Sequence, residues 1–308
     1  MTTHMTTPMI ASTLGLGLDA GGTQTRWAVA DSAGNVVADG SVAGITALQL
    51  NTNDGREHIR QALANIAGAA TPLGKIARVC AGVTGLDERD ERICQLIALA
   101  LGIDAASVSV RSDIDIAYRD LFKPGEGYVV YAGTGSIAAF IDEANVFHRA
   151  GGRGVLLDDG GGGFWIAREA LRHIWRLEDE RPGAWRDSPM AVEMFKHIGG
   201  SDWSFSRQFF YGRERGDIGK LALAVAASAN DDAVARTILC AAGSELARLG
   251  NAMISRFGVR PIALAGRAAL LHSSIEETMR AALPVAAQLK VRVSEAHLAA
   301  ARIAAQPM

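Results

Sequence analysis

One stretch near the start of the chain, LGLGLDAGGTQTRWAVAD over residues 14–31, restricts the fold more than any other. An alternating apolar run from Leu14 ends in one acid, Asp19. The segment Ala20-Gly21-Gly22-Thr23-Gln24-Thr25 breaks that run, and a second apolar run resumes from Trp27 to Ala30. Strand, tight turn and strand is the reading: a β-hairpin whose turn carries two glycines, two hydroxyls and a carboxylate. Adjacent glycines let backbone N–H groups crowd close to a ligand, and a string of such donors makes an anion nest. The Thr23 and Thr25 hydroxyls add donors, while Asp19 suits a hard cation such as Mg2+. Many hairpins turn on Gly-Gly alone; the Asp-x-Gly-Gly-Thr-x-Thr combination points to phosphate.

The totals set the frame for that hairpin. A chain of 308 residues, 49% hydrophobic and 21% charged, has material for the cores of two ordinary domains. Lysine and arginine total 31 against 33 acids, which argues against a protein built to hold nucleic acid or an anionic membrane. The Ala-rich runs are too short or too often broken by charge to span a bilayer. Cys80, Cys94 and Cys240 lie far apart, with neither metal-ligand spacing nor a disulfide framework, so a reducing cytoplasm is expected. The opening MTTHMTTPMIAST has no basic region followed by an apolar core, so no signal peptide is read there.

Further along, Asn35 to Ser41 reads as a third strand, a loop covers Gly44 to Asn53, and Arg56 to Ala67 has helical periodicity. Ile76 to Ala81 is a short strand running into Gly82-Val83-Thr84-Gly85; Asp87 to Leu101 is a helix stopped by Gly102. Ser107 to Arg111 is a strand ending at Ser112-Asp113, and Ile114 to Phe122 turns helical. Then the opening theme recurs: strand Tyr128 to Ala132, a small-residue turn Gly133-Thr134-Gly135-Ser136, strand Ile137 to Ile141, and a third strand at Asn145 to Arg149. Phe164 to Leu177 is a helix, Arg181 to Gly216 is less regular, and Leu221 to Ala229 and Asp232 to Phe257 are Ala-rich helices. Pro261 to Ala265 is a buried-type strand ending in Gly266, followed by helices at Ala268 to Leu283 and Ala296 to Ala305. Meanders followed by alternating helix and strand indicate α/β domains with mixed sheets. The expected division is a flexible N-terminus over 1–13 and domains at 14–122 and 123–308, with helix 295–306 returning to the first.

These residues resemble the sugar kinase–Hsp70–actin superfamily, and within it the BadF/BadG/BcrA/BcrD-type ATPase and N-acetylglucosamine kinase family. The resemblance runs from about Leu14 to Gly266, carried by the Asp19–Thr25 hairpin, the Ala132–Ser136 turn and the Gly151–Trp165 block. It implies two ribonuclease-H-like (actin-like ATPase) domains with mixed five-stranded sheets, flanking a nucleotide cleft. It further implies that Gly21, Gly22, Thr23 and Thr25 form a first phosphate loop for ATP, and Gly133, Thr134, Gly135 and Ser136 a second. By the same resemblance, Gly266 lies at the adenosine turn, Asp19 positions Mg2+ through water, and Thr46, Asp113, Gly152 and Asp159 meet a sugar. Asp113 matches the family's catalytic aspartate, which accepts the hydroxyl proton; Asp115 is its rival, and Asp113 could also simply cap the following helix.

Departures fall on the sugar side. The family's Gly-Asp-Glu-Gly-Ser reads Asp158-Asp159-Gly160-Gly161-Gly162 here, so its glutamate has become Gly160. Arg153 replaces a common tryptophan, and the asparagine usual after the third strand has no clear equivalent in Gly44-Ile45-Thr46-Ala47. The run Gly161-Gly162-Gly163 ahead of a helix leaves two readings open, simple flexibility or an anion or sugar contact. The expectation is an ATP- and Mg2+-dependent kinase for a small sugar, an amino sugar first, acting as a homodimer with no nucleic-acid or membrane partner. A partner-driving ATPase and a non-catalytic sugar sensor are the alternatives.

Overall fold

The computed structural model describes residues 13–86 and 88–306. Expectations for residues 1–12 and for Asp87, the expected first residue of the second helix, lie outside the described residues. Strands β1 (Leu14–Ala20) and β2 (Gln24–Ala30) pair antiparallel, with Asp19 opposite Arg26 and Ala20 opposite Thr25. That is the hairpin read from the sequence. Strand β3 (Val36–Ala43) adds to β2. Helix α1 (Asn53–Ala70), β4 (Ile76–Val83), α2 (Glu91–Leu101), β5 (Val108–Ser112) and α3 (Asp113–Leu121) follow. The five strands form one mixed sheet, ordered β3-β2-β1-β4-β5, in which β1, β4 and β5 run parallel.

The alternation in LGLGL separates the two faces of this sheet by size. Successive strand residues point to opposite faces. Leu14, Leu16 and Leu18, joined by Trp27 and Val29, pack with Ile59, Leu63 and Ile66 of α1 and Ile93 and Ile97 of α2. The opposite face presents Gly15, Gly17, Ala28 and Ala30, and the final helix, Ala296–Ala305, lies against it. A Cβ on Gly17 would sit 2.1 Å from the Ala301 nitrogen, and one on Gly15 would sit 2.3 Å from that of Ala305. The glycines therefore let an alanine helix rest its backbone on the strand.

The second unit repeats the plan. Strands β6 (Tyr128–Ala132), β7 (Ser136–Ile141) and β8 (Phe147–Gly151) form the meander, and α4 (Gly163–Glu180) follows. Helices α5 (Pro189–Ile198), α6 (Trp203–Gly212), α7 (Arg215–Gly219), α8 (Ala222–Ser228) and α9 (Ala233–Phe257) precede β9 (Ile262–Ala265), α10 (Ser273–Ala282) and β10 (Leu289–Val291). Its sheet order, β10-β9-β6-β7-β8, matches the first when each is counted outward from its meander. Helix α11 (Ala296–Ala305) closes the chain. By its contacts the first unit runs to Asp120 and takes in the chain from Glu295 onward; the second is Leu121–Ser294. Within the first unit, the Glu295 N–H donates to Asp120 at 2.7 Å and the Arg78 guanidinium to the Ala304 carbonyl at 2.9 Å.

The structure differs from expectation at several points: the second helix starts at Glu91, behind an Asp90 cap. The irregular segment 181–216 is largely helical: Ser188 accepts the Ala191 N–H to start α5 ahead of Pro189, and the aromatic-rich α6 docks on α4. Trp203 meets Trp175 and Phe210 meets Phe164, each with ring centroids 5.4 Å apart. That packing overrides the modest helix propensity of aromatic residues. The long helix expected from Ala268 is instead a 3-10 turn at Ala268–Leu270 and a fresh start at Ser273, with the His272 ring accepting the Ser274 N–H at 3.2 Å. Strand β10, only three residues long, gave no periodic signal.

Candidate functional site

In the first unit the parallel strands carry the chemistry to one edge of the sheet. Residue Ala20 is level with Val83 on β4, and Val83 with Ser112 on β5. The residues at or just beyond those strand ends, Asp19, Thr84 and Asp113, therefore share the carboxyl edge, where open α/β sheets place ligands.

Asp113 opens α3 and is half-buried. Its Oδ2 accepts the Thr84 hydroxyl at 2.6 Å and its Oδ1 the Ile114 N–H at 2.8 Å. Burial pushes its carboxyl above the ordinary range and the Asp19 charge adds to the rise, while the Thr84 and Ile114 hydrogen bonds oppose it. The capping alternative belongs instead to Ser112, whose hydroxyl accepts the Asp115 N–H at 3.3 Å. The rival Asp115 is buried and tied to Arg119 at 2.7 Å, with Arg111 at 3.7 Å. Of the two acids, Asp113 alone is bonded toward the strand-end loops.

The hairpin turn is closed by Gly21 N–H donating to the Gln24 carbonyl at 3.1 Å, leaving Gly22 and Thr23 exposed at its tip. Thr25 departs from expectation. It is fully buried, and its hydroxyl accepts the Ile45 N–H at 3.0 Å, so it fastens the loop after β3 from beneath. A Cβ on Gly44 would lie 2.3 Å from the Gly22 carbonyl oxygen, which explains the glycine in that loop. Thr46, half-buried, donates its N–H to Gln49 at 2.9 Å and bridges to Thr84. Asp19 is paired with Arg26 at 2.7 Å. Among the described residues no group of three or more His, Cys, Asp or Glu could hold a metal ion. The set nevertheless suits Mg2+, which commonly takes one or two carboxylates and fills its shell with water and phosphate oxygens. Asp19 and Asp113 are close enough for one charge to raise the other, and a cation would relieve that repulsion.

The second unit holds the other glycine loop. Gly133 N–H donates to the Gly135 carbonyl at 2.9 Å, and the carbonyls of Gly133 and Thr134 accept the Gly163 and Phe164 N–H groups at 2.8 and 3.0 Å. The first turn of α4 is thereby capped by the loop, and those two donors are not offered to an anion. The glycine run is a packing device. A Cβ on Gly162 would meet Gly135 at 2.7 Å, and one on Gly160 would meet the Glu245 carboxylate at 2.7 Å. A side chain at Gly160, where the family has a glutamate, would have to displace the Glu245 side chain from α9. Ser136 is buried and donates to the Gly160 carbonyl at 2.7 Å, so its hydroxyl is a strut under the loop rather than a free donor.

Asp159 has the positive φ of 55° uncommon outside glycine, and its carboxylate lies against Gly135, where a Cβ would come within 2.1 Å. It accepts the Gly154 N–H at 3.1 Å; burial pushes its carboxyl up, and Asp158 adds to the rise. Gly152 spends its N–H on the Ser136 carbonyl at 3.0 Å, and Arg153 beside it is exposed. Gly266 ends β9 with φ of 95°, and a Cβ there would sit 2.3 Å from the Ala132 carbonyl oxygen. Contact between neighbouring strand ends, rather than space for a purine, requires that glycine.

Thr84 escaped the sequence reading as a functional residue. Its only signal was a Gly-x-Thr-Gly strand end, the same kind of small-residue turn that marks the two glycine loops.

Comparisons with known proteins agree with this plan. The chain is 27% identical over 179 residues to an N-acetyl-D-glucosamine kinase of Dictyostelium discoideum. It is 25% identical over 169 residues to an N-acetylmuramic acid/N-acetylglucosamine kinase of Clostridium acetobutylicum. Each match covers 54% of this chain and 55% of the relative, so the chain spans about half the length of these relatives. A solved protein of Chromobacterium violaceum, assigned as an N-acetylglucosamine kinase, shares the fold with a TM-score of 0.75 at 22% identity, over 96% of this chain and 99% of that one. The family model for the BadF/BadG/BcrA/BcrD ATPase family matches residues 16–293, and the chain belongs to that family.

Proposed function

We propose that the chain is an ATP-dependent kinase that phosphorylates a hydroxyl of a small sugar, with an amino sugar such as N-acetylglucosamine or glucosamine as the first candidate. The observation that carries the reading is Asp113: a carboxylate with a raised pKa, fixed by one donor on each oxygen, at the strand edge that also holds the Gly21–Thr23 turn. Phosphoryl transfer to a hydroxyl needs little else from the protein than positioning, charge neutralisation and a proton acceptor. In this proposal the Gly21–Thr23 turn of the first unit and the Gly133–Gly135 loop of the second each take phosphate oxygens. The donors are the N–H groups of Gly22 and Thr23 and of Thr134 and Gly135, while the N–H groups of Gly21 and Gly133 close their own turns. In the first unit Thr46 is the proposed sugar contact and Asp113 accepts the sugar proton; in the second, Gly152 and Asp159 are the proposed sugar contacts and Gly266 borders the adenosine. Thr25 and Ser136 hold the two loops from behind. Asp19 would hold Mg2+, which would supply charge neutralisation on the phosphates. The names of the two relatives support the acceptor class.

ADP release with Mg-ATP across N-acetylglucosamine, glucosamine, N-acetylmannosamine, N-acetylmuramic acid and glucose tests the proposal. A strong rise with one sugar identifies the acceptor. Equal slow release with every sugar and with none removes these five acceptors and leaves an ATPase that drives a partner or an acceptor outside the panel. A homodimer in the cytoplasm is proposed as the working state, and sedimentation of the purified chain measures the first part.

A further inference from the structure

Thr84 is fastened at both ends of its backbone. Its N–H donates to the Ala20 carbonyl at 2.9 Å, its carbonyl accepts the Ala47 N–H at 3.0 Å, and it bridges to Thr46. The side chain is thereby aimed from a fixed point, and its hydroxyl donates to Asp113 Oδ2 at 2.6 Å. That length belongs to the strong, charge-assisted class of O–H···O bonds. The other carboxylate oxygen, Oδ1, is held by the Ile114 N–H. The terminal torsion of an aspartate is broad, so one donor leaves the carboxylate free to swing, whereas a donor on each oxygen holds its plane. Each oxygen keeps a further lone pair for a substrate hydroxyl.

We propose that Thr84 is a positioning residue: it fixes the plane of the Asp113 carboxylate and locks it to the hairpin at Ala20 and to the loop at Thr46. The three segments that would meet phosphate, sugar and proton are then joined through one threonine. This inference rests on the kinase reading for its catalytic consequence, though not for its geometry.

Thr84→Val keeps the shape and removes the donor; Thr84→Ser keeps the donor. Losing one hydrogen bond to a charged group should lower kcat about 10–100-fold in Thr84→Val while leaving KM for sugar and ATP within about threefold. Thr84→Ser should recover kcat to within about threefold of the unaltered chain. Thr84→Ala provides a second hydroxyl-free variant should valine disturb folding, and the same kcat loss is expected. An unaltered kcat in both hydroxyl-free variants, or a serine variant as impaired as they are, overturns the proposal. If the unaltered chain shows no sugar-dependent turnover, the kinase reading fails on its own. The positioning claim is then decided by the carbon-13 resonance of the Asp113 carboxylate at fixed pH. A change in the valine variant that serine reverses supports the claim, and an unchanged resonance in valine refutes it.

Discussion

Replacing Gly17 with alanine would put a methyl group 2.1 Å from the Ala301 nitrogen and 2.3 Å from the His297 carbonyl oxygen. Both obstacles are backbone atoms of α11, so no side-chain rotation relieves the overlap and the helix must rise as a body. Forcing an extra methyl into a packed interface typically costs about 1–3 kcal/mol. The ceiling is the cost of lifting α11 altogether. Its buried alanines at 296, 299, 300, 301, 304 and 305 each bury a methyl worth about 0.8 kcal/mol, giving roughly 5 kcal/mol. Against this, alanine gains about 0.5–1 kcal/mol over glycine by restricting the unfolded chain. A net loss of about 0.5–4 kcal/mol is expected, seen as a drop of a few degrees in the unfolding transition and faster amide exchange in α11. Gly68→Ala is the control. It lies in α1 with nothing within 4 Å of the new methyl, and should stabilise by about 0.5–1 kcal/mol. If Gly17→Ala unfolds within a degree of the unaltered chain and α11 exchanges no faster, the account of the glycine alternation is wrong.

Asp113→Asn should lower sugar-dependent turnover by about 10²–10⁴-fold. It should also raise the melting temperature at neutral pH. The folded pKa of Asp113 is raised, so its stability contribution is present below the unfolded value of about 3.9 and is lost as pH rises through the folded pKa. Removing the charge should restore that stability, and the gain should vanish toward pH 4. The acid limb of kcat/KM should lie above an ordinary carboxylate for the same reason, checked by a pH–rate profile of the unaltered enzyme. Asp232 caps two helices at once: it accepts from Ser188 and Met190 at the start of α5 and from Val234 and Ala235 at the start of α9. Asp232→Ala should cost about 2–4 kcal/mol in denaturant unfolding. Burial alone would raise the Asp232 pKa, but these hydrogen bonds outweigh it and hold it low. Its contribution is therefore present above about pH 3.9 and lost as pH falls through the lower folded value.

The sequence carried the fold wherever side-chain period and turn chemistry coincided. The first hairpin, the second meander and the stop of α2 at the left-handed Gly102 were all legible for that reason. Helices α5 and α6 were not, because α6 depends on ring contacts with α4 that no local pattern reports. At the site, residue type was legible but direction was not. Thr25 and Ser136 read as ligand donors because a hydroxyl beside glycines suits phosphate, yet both hydroxyls are bonded inward. The same limit applies to Gly160, where a Cβ would meet the side chain of Glu245, 85 positions further along the chain.

The two units share one sheet order but divide the chemistry unequally, and strand ends give the physical reason. In the first unit, β1, β4 and β5 end beside Asp19, Thr84 and Asp113, so adjacent parallel strands deliver two carboxylates and a hydroxyl to one edge. The corresponding edge of the second unit ends in Ala132, in Ala265 followed by Gly266, and in Val291, none of them an acid, and a Cβ on Gly266 would meet the Ala132 backbone. Its one buried acid near the glycine loop, Asp159, comes from a strained loop instead. In the proposed kinase a duplicated scaffold would thus offer backbone donors twice and a positioned proton acceptor once. Phosphoryl transfer calls for that combination, and for this reason substitutions at the strand ends of the first unit should alter kcat, whereas those in the Gly133–Gly135 loop should alter KM for ATP.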